Sequence, residues 1–86
     1  MVIIALTTHG MKLGKHKEMF KITFPNPEKA EELIPAEQVE EILVEASISL
    51  SSSAIRLASK YSIPILFLSS YEPLAILSSF TAHGTV

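Results

Sequence analysis

The sequence predicts an α+β fold that is mainly β, with one well-marked helix at about residues 51–61. Three observations carry that prediction. Short apolar runs rich in valine and isoleucine recur along the chain, several of them beside Gly10, Pro25, Pro64 or Pro73, which is the pattern of strands separated by turns. In one of them Phe20, Ile22 and Phe24 alternate with Lys21 and Thr23, the period of two that gives a strand one apolar and one wet face. Finally, Ser51, Ser52 and Ser53 precede a stripe of Ala54, Leu57, Ala58 and Tyr61, which joins capping chemistry to a period of 3.6. A chain of 86 residues supports one domain.

Taken in order, Val2–Leu6 is apolar and β-branched and predicts a buried strand, and Thr7, Thr8, His9 and Gly10 supply a turn. Residues 11–14 and 18–24 read as paired strands, the second ended by Pro25, Asn26 and Pro27. Residues 28–46 are ambiguous. Leu33, Val39, Ile42, Leu43 and Ala46 approximate a helical spacing and Pro35 suits a first turn, yet Ile42 and Val44 also alternate with Glu41, Leu43 and Glu45; local pattern alone favours a helix. Ile48 and Leu50 continue as strand before the serine-capped helix, whose flank carries Ile55. Residues 63–68 form a buried strand entered through Pro64, residues 69–73 a loop, 74–80 a last strand and 81–86 the start of a linker.

Composition narrows the function. Hydrophobic residues make up 48% of the chain and the mean hydropathy is +0.36. A domain this small buries only about 60–65% of its unfolded surface, so part of its apolar surface is expected to face a partner. The net charge of −2 gives no overall positive field to hold nucleic acid. Charge is nevertheless uneven, with Lys12, Lys15, Lys17 and Lys21 clustered early beside His9 and His16, and glutamates dominating from Glu28 to Glu45. The absence of cysteine excludes disulfides and a zinc knuckle and fits an intracellular protein. No targeting peptide is visible, and the apolar stretch 61–80 is broken by Pro64, Glu72 and Pro73, so no membrane span is expected.

Several chemistries can be weighed against structural roles. The serine cluster lacks the glycines of a nucleophile elbow, and the chain has no aspartate to orient a histidine base. Capping by Ser51 and Ser52 accounts for the same residues. No glycine-rich loop or neighbouring lysine supports a phosphate cradle at that helix start. His9, His16 and His83 form no ligand pair at metal spacing. Lys12, Lys15 and Lys17 on the first hairpin are candidates for contact with a DNA backbone, although lysines also protect strand edges.

Read as a whole, the order of segments is specific. An apolar strand leads to "THGMKLGK" and "EMFKITF", then to "IPAEQVEEILVEASISLSSSAIRLASKYSIPILFLSS" and "YEPLAIL". This resembles the N-terminal β-domain of the CRISPR adaptation integrase, the "Cas one" endonuclease family, over essentially the entire chain. The resemblance implies a small two-sheet β-domain, a sandwich or roll of short strands, occupying residues 1–80. It implies a tight turn at 37–40 and a strand at 41–44, which replaces the helix that local pattern favours there. It attaches no catalytic role to the serines.

The resemblance further implies that residues 81–86 lead into a helical catalytic domain whose glutamate, histidine and aspartate hold a divalent ion, Mg or Mn, for cutting and joining DNA in antiviral defence. That triad cannot be assembled from a chain without aspartate, so these residues are expected to be a fragment with no catalytic residue, metal ligand or cofactor, and no nuclease activity. The implied role is dimerisation and scaffolding in a cytoplasmic protein, with a homodimer, double-stranded DNA and a second adaptation protein as partners. Many members carry glycine and arginine where this chain has Ala75 and Ile76, which removes a cation there. A free-standing protein-binding module is the alternative reading.

Overall fold

Val2–Leu6 forms strand β1, whose Ile4 and Leu6 turn into the core while Ile3 and Ala5 face out. The computed structural model describes residues 1–45, 47–69 and 72–77, with side chains as far as Leu68. After β1, Gly10 closes the turn at φ +94°, and a Cβ there would lie 2.9 Å from the Pro25 Cβ. Strands β2 (Lys12–His16) and β3 (Met19–Thr23) form an antiparallel hairpin, pairing Gly14 with Lys21 and Lys15 with Phe20. Lys17 takes φ +56° at its tip.

The helix favoured by local pattern over 28–46 is not present. In its place stand strand β4 (Glu32–Pro35), a 3-10 turn at Ala36–Gln38 and strand β5 (Val39–Glu45). The strand-like alternative and the turn-then-strand order implied by the family are what form, with the turn at 36–38 where 37–40 was implied and the strand beginning at Val39 where 41 was implied. The physical reason lies in a β-bulge. Val2 pairs with Val39 but Ile3 with Glu41, so Glu40 is an extra residue. The bulge brings Val39 and Ile42 to the same buried face although they are three apart, and that odd step mimics a helical period. Pro35, which would suit a helix start, instead ends an edge strand, where its missing N–H costs no ladder bond.

Strand β6 (Ser49–Leu50) pairs in parallel with β2, and helix α1 (Ser52–Lys60) follows. Ser51 is its N-cap: the Ser51 Oγ accepts from the Ala54 N–H at 3.0 Å. Ser52, read from the sequence as sharing that role, is the first helical residue and stands exposed. Ala54, Leu57 and Ala58 are buried, and the two alanines let the helix lie close to the sheet. At the far end Ser62 adopts φ +57°, while Ile63 N–H donates to the Ala58 carbonyl at 2.8 Å and Ser62 N–H to that of Ser59 at 3.2 Å. This is a Schellman ending with serine in the place glycine usually takes. Replacing Ser51 with alanine removes the cap and is expected to lower stability by about 1 kcal/mol, measurable by urea denaturation.

Strands β7 (Ile65–Ser69) and β8 (Glu72–Leu77) complete the chain's described part. The loop expected at 69–73 is shorter, because Ser69, Glu72 and Pro73 are already paired in the ladder. The expected linker at 81–86 lies outside the described residues.

Two four-stranded sheets result, ordered β1-β5-β7-β8 and β4-β3-β2-β6, so the α+β, mainly β class and the two-sheet plan both hold. One core joins them: Ile4, Leu6, Ile42, Val44 and Ile65 from the first sheet, Leu13, Phe20 and Ile22 from the second, and the buried stripe of α1.

Candidate functional site

With the inner faces of both sheets consumed by the core, binding chemistry must lie on the two outer faces and the rim. Those outer faces differ in character.

On the first sheet, alternation turns Ile3 and Ala5 of β1, Leu43 of β5, and Leu66 and Leu68 of β7 away from the core. Register places Ala5 beside Leu43 and Leu43 beside Leu66. An apolar band therefore crosses three strands. Ile3 is 52% exposed, and Leu43, Leu66 and Leu68 are half-buried. Glu41 and Glu45 stand two positions to either side of Leu43 along β5 and border the band with carboxylates. Strand β1 is an edge strand without charge or proline, hence without the usual guards against edge pairing.

The outer face of the second sheet is polar and cationic. Lys12 pairs with Thr23 on one side and Ser49 on the other, and Gly14 pairs with Lys21. These residues and Ser51 line an open groove of about 380 Å³. A Cβ on Gly14 would find its nearest neighbours at 4.0 Å, on the Lys21 carbonyl and the Ser51 Oγ, so the missing side chain leaves the groove floor open. Glu31 reaches in from the loop before β4. Its Oε2 accepts from the Thr23 Oγ1 at 3.1 Å and lies 3.9 Å from the Lys21 Nζ.

The three lysines singled out from the sequence are not brought together. Lys12 lies in the groove, Lys15 is an odd number of residues away and faces the opposite side of β2, and Lys17 sits at the hairpin tip. Lys21 takes the place beside Lys12 instead. Alternation along β3 already assigned Lys21 and Thr23 to the wet face, whereas the position of Glu31 depends on β4, whose segment resembled a helix.

At the rim, Glu18 ties three elements together. Its carboxylate Oε1 pairs with the Lys60 ammonium and accepts from the Tyr61 hydroxyl at 3.2 Å, and its carbonyl accepts from the Ala36 N–H at 3.0 Å. The Lys60 hydrogen bond is the main reason the Glu18 carboxyl titrates below its ordinary value of 4.5. The same bond raises Lys60; desolvation first, then Glu18, raises Tyr61. The Glu18 contribution to stability is therefore complete above about pH 4.5 and lost as pH falls through the lowered folded value. Those of Lys60 and Tyr61 are complete below their ordinary values of 10.5 and 10.0 and lost above them. Glu18→Gln is expected to flatten both limbs of the stability profile, read as the urea midpoint against pH. The node is exposed and is a fastening for the hairpin rather than a reactive centre.

Among the described residues, no three histidine or glutamate side chains are grouped to hold a metal ion, and no helix is long and apolar enough to cross a membrane. His9 and His16 are exposed.

No curated protein sequence matches the chain. Solved structures of similar fold include a casposase bound to integration product, with a TM-score of 0.69 at 19% identity, covering 91% of this chain and 24% of that one. A Cas1 protein from Thermotoga maritima gives 0.69 at 21% identity, covering 88% and 24%. A Cas6-RT-Cas1--Cas2 complex gives 0.78 at 14% identity, covering 92% and 9%. The chain thus spans about a quarter, or less, of the length of these structures. The family model for CRISPR associated protein Cas1 matches residues 4–86, and on that match the chain belongs to the Cas1 family.

Proposed function

We propose that this chain is the dimerisation and scaffold domain of a CRISPR adaptation integrase. The observation that carries the reading is the partly exposed apolar band on the first sheet, Ile3, Ala5, Leu43, Leu66 and Leu68, in a chain of the Cas1 family. An isologous dimer is the commonest way for one patch to be covered by its own copy. With the two-fold axis near Leu43, the band forms the dry centre, and Glu41 and Glu45 fall towards a solvated rim.

In this reading the domain fixes the spacing of two catalytic domains, and the divalent-metal chemistry of DNA cutting and joining belongs to residues outside it. Double-stranded DNA and a second adaptation protein are partners of the assembled protein. A solved TtCas1-DNA complex and a Cas6-RT-Cas1--Cas2 complex of similar fold support that assignment. The protein is proposed to act in the cytoplasm. Light scattering of the chain at about 50 µM, where a modest interface is populated, is expected to give twice the chain mass. A monomer at that concentration contradicts the proposal.

A further inference from the structure

On the outer face of the second sheet the Glu31 carboxylate meets two donors. One oxygen of Glu31 takes a hydrogen bond from Thr23 Oγ1 at 3.1 Å and sits 3.9 Å from the Lys21 ammonium. A hydroxyl and an ammonium converging on one anionic oxygen are also the donors a phosphate oxygen uses. Further along the same groove, Lys12 has no carboxylate within ion-pair distance among the described residues, and Ser49 adds a hydroxyl beside it. Gly14 keeps the floor between them clear.

We propose that this groove is a track for the phosphates of a nucleic-acid backbone, and that Glu31 is an internal anion that holds it until a phosphate takes its place. The proposal rests on the nucleic-acid part of the function argued above. The groove is open and runs across strands from Lys21 to Lys12. It lacks the glycine-rich loop that wraps an isolated phosphate, so successive phosphates of a chain fit it better than a single free one. Glu31 suits displacement: it is 52% exposed in its side chain, and its partner Lys21 is 39% exposed. Exposed pairs of this kind are weak and yield to an anion of higher charge.

Fluorescence anisotropy of a labelled short duplex with the full chain, repeated across a salt series, tests this. Glu31→Gln is expected to tighten binding about two- to fivefold and to leave the dependence of log K on log salt little changed, because the same phosphates are contacted. Lys12→Ala is expected to weaken binding and make that slope shallower by about 0.9. Lys15→Ala, on the opposite side of β2, leaves both unchanged, and thermal melts establish that all variants are folded.

Equal losses for Lys12→Ala and Lys15→Ala, or no effect of Glu31→Gln, overturn the proposal. Glu31-dependent binding of orthophosphate without binding of duplex overturns the nucleic-acid assignment. Light scattering on the same samples separates the two ideas, because a monomer with Glu31-dependent duplex binding refutes the dimer and supports the groove.

Discussion

Phe20→Ala is expected to lower the free energy of unfolding by about 3–5 kcal/mol. Phe20 is the largest fully buried side chain among the described residues. It projects from β3 into the space between the sheets, in register with Lys15 of β2 and Ile34 of β4. Truncation loses the transfer free energy of the ring and leaves a cavity that two sheets and a helix, each fixed by its own hydrogen bonds, cannot close. For a domain of 86 residues the total stability is of order 4–13 kcal/mol, so the substitution removes about a quarter of it or more. Leu33→Ala is the matched control. Leu33 lies on the same sheet but is 46% exposed, and its loss is expected to cost about 1 kcal/mol or less. Urea titration of both variants checks the contrast, and a Phe20→Ala midpoint close to that of the parent would mean that the core is not where the fold places it.

Leu43→Glu is expected to convert the proposed dimer to monomer, raising its dissociation constant at least a hundredfold, which corresponds to about 3 kcal/mol. Leu43 lies at the middle of the apolar band, between Ala5 and Leu66. A carboxylate there must be desolvated against its own copy across the proposed two-fold axis, with no lysine or arginine on the described strands of this face to pair with it. The free monomer tolerates the change better, since Leu43 is only half-buried within it. Lys12→Glu, on the outer face of the other sheet, should leave the mass unchanged. Sedimentation equilibrium of the two variants distinguishes a specific interface from general stickiness.

Much of the fold was legible because local signals and tertiary demands agree. The Phe20, Ile22, Phe24 alternation fixed which face of β3 is buried. Ser51 and the Ala54, Leu57, Ala58 stripe located α1, since a cap and a period of 3.6 are properties of the segment itself. Residues 28–46 were not legible locally. The bulge at Glu40 inserts one residue, and Val39 and Ile42 then share a face by a route that no periodicity argument contains. The alternation over residues 41–45 offered the strand, and the family resemblance decided for it over the helix.

The outer faces were legible in part. An apolar surplus is visible in composition, but its location on Ile3, Ala5, Leu43, Leu66 and Leu68 required the register of three strands. Lysine clustering was visible as well, yet sequence proximity grouped Lys12 with Lys15 and Lys17. The pleat separates the first two, and β-pairing groups Lys12 with Lys21. The Glu18 to Lys60 link spans 42 positions, and no local signal announces it.

In the proposed assembly two copies meet through the outer face of the first sheet. The chain contains no cysteine, so a single introduced thiol reports on one surface. Ala5→Cys places it in the apolar band and Lys12→Cys on the other sheet. With a short bis-maleimide at micromolar protein, Ala5→Cys is predicted to run as a covalent dimer on a denaturing gel, while Lys12→Cys remains at the single-chain mass. Efficient cross-linking through Lys12→Cys with none through Ala5→Cys would contradict the account.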